Sequence, residues 1–186
     1  MPLKSEPKIH IVYAHPYPSR SNSTRGLLEV FQLRSDVSIH SLYEMYPDGN
    51  IDVAAEQAAL LAAPHIVWLA PVYWYNLPGL MKLWIDQVLT RGWAYGAGAT
   101  ALRNKTCWWI ATTGGDEGSY SATGMHQRPF SDFIAPVEQT ARFCGMDWQP
   151  PLIVHGAPGL DPERREAMRA ELAHRIAGLL AEQGAP

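Results

Sequence analysis

The sequence predicts an α/β fold: one five-stranded parallel sheet in the order 2-1-3-4-5, with helices on both faces. Short, nearly continuous apolar runs at residues 9–14, 65–70 and 106–111 have the composition of strands covered on both sides. Segments with apolar residues at helical spacing separate them, and such alternation implies parallel pairing through right-handed crossovers. The 186 residues suffice for one sizeable core, and no internal repeat or linker divides them, so residues 1–186 are read as a single domain.

Ile9-His10-Ile11-Val12-Tyr13-Ala14 is the first strand. Ser23 or Thr24 is placed to cap the next helix, in which Leu27, Val30 and Phe31 recur at i, i+3 and i+4. Val37, Ile39 and Leu42 alternate as an edge strand would. Asp52 can cap a helix running to Ala62, which must stop before Pro64. Residues 65–70 form the third strand. Residues 79–89 read as a helix with Leu80, Leu83 and Trp84 on one face and Lys82 and Asp86 paired at i, i+4 on another. After a loop at 94–101, expected to be mobile and on the surface, residues 106–111 make the fourth strand. A helix over about 132–143 follows, started or kinked by Pro136 and ended by Gly145. Residues 152–155 are a short fifth strand. Asp161 as N-cap, Pro162 and Glu163 open the last helix, whose stripe is Met168, Leu172, Ile176, Leu179 and Leu180. Five strands and about five helices make the flavodoxin-like three-layer order, with its switch point between the first and third strands.

Composition excludes several classes of function. With 47% hydrophobic and 18% charged residues the chain is globular, not disordered. A net charge of −3 without a basic run argues against nucleic acid as a partner. Cys107 and Cys144 are too few and too isolated for a disulfide framework or a metal site, and read as free buried thiols. The opening residues 1–8 are polar and lack an export core, and no apolar run approaches membrane-spanning length, so a cytoplasmic location is expected.

Three loops follow buried strands, and in an open parallel sheet such loops gather on the edge where ligands bind. The first, residues 15–24, holds His15, Ser19, Arg20, Ser21, Asn22, Ser23 and Thr24 before a helix N-terminus, where free N–H groups favour an anion. It has neither a dinucleotide fingerprint nor a phosphate loop of the Walker type. By itself it is equally a Ser/Thr capping cluster. The second loop, residues 71–78, strings together Pro71, Val72, Tyr73, Trp74 and Tyr75. Three successive rings cannot all point inward from an extended segment, so at least one faces a cleft or a partner chain. The third, Thr112-Thr113-Gly114-Gly115, offers backbone that a ring edge can approach closely. Beyond it lie Tyr120 and His126, a donor and a group that titrates near neutrality. A polar loop, an aromatic loop and a glycine loop on one edge suit a ligand with a phosphate and a flat ring, as in a flavin nucleotide.

Particular segments make the pattern more specific. They are Tyr-Ala-His-Pro-Tyr-Pro at 13–18, Leu-Tyr-Glu-Met-Tyr-Pro-Asp at 42–48 and Ile-Asp-Val-Ala-Ala-Glu-Gln at 51–57. Leu-Trp-Ile-Asp at 83–86, Gly-Trp-Ala-Tyr-Gly at 92–96 and Thr-Thr-Gly-Gly at 112–115 complete the set. Together they resemble the NAD(P)H:quinone oxidoreductases of the flavodoxin-like fold, most of all the ancillary flavoproteins of glutathione-regulated potassium efflux. The resemblance implies FMN, with FAD as the other candidate, held by His15, Ser21 to Thr24, Pro71 to Tyr75 and Thr112 to Gly115. It implies hydride transfer from NADPH or NADH to the flavin and then two-electron reduction of a quinone, with Tyr120 and His126 moving charge and protons. It also implies a homodimer and, as the alternative role, a regulatory subunit docked at the inner face of the membrane on a potassium/proton antiporter. Two departures stand out: Thr24 replaces a frequent Asn, and Tyr120 is a residue that the efflux proteins commonly lack. A one-electron carrier is disfavoured by the modest net charge and by the aromatic second loop.

Overall fold

A parallel strand must be covered on both faces, and the alternation of side chains along β1 (Ile9–Tyr13) shows how this chain does it. Ile9, Ile11 and Tyr13 enter one apolar cluster, and Val12 enters the other. The computed structural model describes residues 6–181, so residues 1–5 of the polar opening segment lie outside it. In it β1, β2 (Val37–Ser41), β3 (His65–Pro71), β4 (Thr106–Thr112) and β5 (Asp147–Val154) form one parallel sheet in the order β2-β1-β3-β4-β5. The predicted order is therefore the observed one.

One face is covered by α1 (Ser23–Gln32) and α6 (Pro162–Ala181), through Leu27, Phe31, Leu172 and Ile176 packed on Ile11, Val67 and Ile110. The other carries α3 (Val53–Ala62), α4 (Gly79–Val88) and α5 (Ser131–Phe143), through Leu60, Met81, Trp84 and Val137 on Trp68 and Trp109. Local signals end these helices as expected. The Asp52 carboxylate accepts from Ala55 N at 3.0 Å, and that of Asp161 accepts from Arg164 N at 2.8 Å. Gly145 follows α5 at φ 78°, the left-handed conformation that glycine adopts without a Cβ penalty. Pro136 lies inside α5 rather than starting it.

Several local expectations are corrected. Leu42 does not extend the edge strand but begins a one-turn helix, α2 (Leu42–Met45), which buries it fully. An apolar i, i+2, i+5 pattern is compatible with both states, and here packing decides. The buried stripe of α4 is Met81, Trp84, Ile85 and Val88, while Leu83 is exposed. The fifth strand is twice the predicted length. It tolerates Pro150 and Pro151 because it lies at the sheet edge, and its register with β4 shifts between Trp108 and Ile110. The loop at 94–101 is anchored, with Ala94 and Ala99 buried and Gly92 N bonded to Tyr95 O at 2.8 Å. Among the described residues no helix is long and apolar enough to cross a membrane.

Candidate functional site

Tyr13 pairs with Leu69 and Pro71 with Thr112, so β1, β3 and β4 deliver the three loops to the same sheet edge. The first loop makes a niche at the N-terminus of α1. Arg20, Ser21, Asn22, Ser23 and Thr24 line a cavity of about 220 Å³ together with Thr112, Ala157, Pro158 and Arg165. Neither Ser23 nor Thr24 caps the helix. Asn22 is the N-cap residue, and Ser21 Oγ accepts from Thr24 N at 3.2 Å. Ser23 and Thr24 are buried and tie the niche together instead: Ser23 Oγ donates to Ala157 O at 2.8 Å, and Thr24 Oγ1 shares a 2.9 Å hydrogen bond with Thr112 Oγ1. Arg20 and Arg165 add positive charge where the helix dipole already favours an anion. Tyr17 N donates to His15 Nδ1 at 3.0 Å, so the neutral ring carries its proton on Nε2, and burial pushes the His15 pKa below its ordinary value.

The second loop is a tight turn and not an extended segment. Tyr73 N donates to Asn76 O at 2.9 Å, and Asn76 N donates to Tyr73 O at 3.1 Å. Trp74 and Tyr75 between them have φ of 49° and 63°, the left-handed sign found in the type I′ turns that Asn and Gly normally occupy. Bulky residues in that region are outliers, and such strain concentrates at ligand sites. Trp74 is 90% exposed, whereas Tyr75 stacks on Phe133 with ring centres 5.1 Å apart. Val72 N holds the loop to its neighbour by donating to Thr112 O at 2.8 Å, and the Tyr73 ring meets the edge of His15.

The third loop is fastened from behind. Thr113 N donates to Val154 O, Ala157 N to Thr113 O and Gly156 N to Gly115 O, all at 2.8–2.9 Å. Thr113 Oγ1 donates to Gly115 O at 2.7 Å and therefore accepts from His155 Nδ1 at 3.0 Å. A Cβ on Gly114 would meet nothing within 4 Å, so the backbone there borders open space that a ring edge can occupy. A Cβ on Gly115 would lie 3.0 Å from His126 Nε2. Neither glycine has a positive φ, and of the two only Gly115 is closely approached, by His126 and Ser119.

Residues 116–127 fold back on themselves. Asp116 accepts from Ser119 N and Oγ, and His126 N donates to Ser119 O at 3.0 Å. This closure stacks Tyr120 on His126 with ring centres 4.4 Å apart, in a nest made by Phe130, Phe133 and His155. His126 Nδ1 lies 3.3 Å from Tyr75 OH, which joins the second loop to the third. Burial pushes the Tyr120 phenol up, partly offset by a hydrogen bond with Thr113, and burial pushes His155 down. Arg165, Ala157, His155, Phe130 and Phe133 were not singled out by sequence reasoning. Only the position of His155 at the end of a strand gave any signal for one of them.

The comparisons with known proteins agree with the fold. A family described as having the flavodoxin-like fold matches residues 7–178. The chain belongs to this family. It is 47% identical to a Citrobacter koseri protein named as a glutathione-regulated potassium-efflux system ancillary protein, over 90% of this chain and 94% of that one. The general stress protein 14 of Treponema denticola, solved in complex with FMN, superposes with a TM-score of 0.84 at 34% identity, covering 94% of this chain and 99% of that one. An NADPH-quinone reductase from P. pentosaceus gives a TM-score of 0.81 at 28% identity, covering 90% and 96%. The resemblance and the fold expected from the sequence are thus both confirmed.

Proposed function

We propose that this protein is an FMN-dependent NAD(P)H oxidoreductase that reduces quinones or related electrophiles. The observation that carries the reading is the convergence on one sheet edge of an anion niche, a strained aromatic turn and an open glycine backbone. Arg20, Ser21, Asn22, the first N–H groups of α1 and Arg165 would hold the phosphate, with Ser23 and Thr24 fixing the niche from behind. Pro71, Val72, Tyr73, Trp74 and Tyr75 would flank the ring system, and Thr112, Thr113, Gly114 and Gly115 would meet its edge. His15, kept neutral by burial, offers Nε2–H as a donor beside the niche. When bound, the flavin supplies hydride acceptance and delivery. Tyr120 and His126 are the candidates for steadying charge on the acceptor's oxygens and supplying protons. Their stacking beside Tyr75 keeps both at the mouth of the cleft, and substrate binding would bring His126 Nδ1 off Tyr75.

The quinone reductase neighbour and the neighbour solved with FMN both support this assignment. The efflux name also supports a second role in which the same chain, as a homodimer at the cytoplasmic face of the membrane, docks on a potassium/proton antiporter. Co-purification with such an antiporter tests that role. The decisive experiment for the enzyme is an anaerobic visible spectrum. A flavin band that NADPH or NADH bleaches, and that a quinone restores, is the expected result. A protein that takes up neither FMN nor FAD would overturn the assignment of all three loops.

A further inference from the structure

His10 lies near the start of β1, at the end of the strand opposite the three loops, and its chemistry is unused by the site described above. It is fully buried. Its Nδ1 pairs with Ser38 Oγ at 2.8 Å, while Nε2 is buried with no hydrogen-bond partner among the described residues. An orphaned buried imidazole nitrogen calls for a ligand. The ring stands edge-on to His40 of β2 with centres 4.7 Å apart.

The third member of the cluster is Glu56, in the first turn of α3 and also fully buried. Its Oε1 accepts from Tyr46 OH at 2.7 Å and lies 2.7 Å from His40 Nδ1, and its Oε2 accepts from Trp84 Nε1 at 2.7 Å. Burial alone would raise its pKa, but these three partners together hold the carboxyl below the usual range, so the group is an anion. One nitrogen of each histidine and a Glu56 oxygen lie within 4.8 Å of one another.

We propose that His10 Nε2, His40 Nδ1 and Glu56 Oε1 bind one divalent transition-metal ion such as zinc. Two imidazoles and a carboxylate are a zinc donor set, with the fourth position left to water. Access runs past His40, whose side chain is 22% exposed. The groups behind the ligands are those that metal sites require. With Nδ1–H donating to Ser38 Oγ, the His10 ring would present its Nε2 lone pair to the ion, and Tyr46 and Trp84 fix the carboxylate. The ion takes the place of the proton between His40 Nδ1 and Glu56 Oε1. A neutral His40 then carries its proton on Nε2, and a charged one releases a proton to solvent.

Calorimetric titration of tag-free, chelator-treated protein with zinc chloride tests this without reference to the flavin. One zinc per chain is expected, with a higher Tm. X-ray absorption should show two imidazole nitrogens and one carboxylate oxygen at about 2.0–2.2 Å. His40→Gln should weaken binding at least about tenfold, since loss even of a group behind a ligand costs about 10–100-fold, while His174→Gln, at an exposed position on α6, should leave it unchanged. Absence of binding, or binding that survives His40→Gln, would overturn the proposal. If His40→Gln fails to fold, the wild-type absorption spectrum decides by itself: fewer than two imidazole ligands would mean an adventitious surface ion only.

Discussion

Trp74→Asn is the sharpest test of the claim that the aromatic turn is built against the preferences of its own residues. Trp74 sits at φ 49° and Tyr75 at φ 63°, where a Cβ crowds the adjacent carbonyl. That conformation costs an ordinary L-residue about 1–2 kcal/mol. The reciprocal hydrogen bonds of Tyr73 and Asn76 keep the turn closed, and Asn is a preferred residue between such bonds when φ is positive. Trp74 is 90% exposed, so its removal forfeits almost no buried surface. The net effect should be a gain of about 1 kcal/mol, or about 2–4 °C in Tm for a chain of this size. Thermal unfolding should be followed on flavin-free protein, because a bound ligand would shift Tm by mass action. Quinone turnover by the reloaded variant should fall if, as proposed, the Trp74 ring flanks the flavin. An unchanged or lower Tm in the flavin-free protein would refute the strain argument, whatever happened to turnover.

His126→Gln should lower quinone turnover at least about tenfold with flavin still bound, since a positioned general acid contributes about 10²–10⁴-fold; turnover within twofold of wild type would remove His126 from the mechanism. Gly124→Ala would drive a Cβ into Gly118 O and place it 2.6 Å from Ser119 O, forcing residues 116–127 open. Steady-state kinetics should show a lower kcat with FMN affinity retained, and an unaltered kcat would mean the closed loop is dispensable. Burial pushes the Cys144 thiol up to about 11 and that of Cys107 well above its ordinary value, so at pH 8 only about one Cys144 in a thousand is a thiolate. Disulfide-exchange labelling should therefore be far slower in native protein than in urea, and equal rates would contradict the buried placement. Burial holds His15 and His155 below 6.5, so the unfolded chain binds protons more readily and stability should decline as pH falls through that value. The urea midpoint should drop less between pH 7 and pH 5 in a His15→Gln, His155→Gln double variant, and an identical drop would exclude both groups from the effect.

Features controlled by local chemistry are legible in the sequence alone. Buried strands announce themselves as apolar runs, and Asp52 and Asp161 start helices and Gly145 ends one through bonds or dihedrals set within a few residues. Those signals sufficed for the sheet order, and for the three loops as well, because each simply follows a strand. Leu42 and Leu83 were misplaced because an apolar residue near an element boundary fits more than one face until its neighbours are in position. Tertiary structure alone decided the rest. Arg165 and Ala157 reach the niche at the N-terminus of α1 from more than 130 residues beyond Ser23, and Phe133 supports Tyr75 from another layer. No residue preference foretells left-handed Trp74 and Tyr75, since their own chemistry opposes it and only the hydrogen bonds around them impose it. Likewise His10, His40 and Glu56 share no spacing motif, coming from two strands and a helix. Proximity of that kind is created by strand register and crossover geometry, which depend on the whole chain having folded.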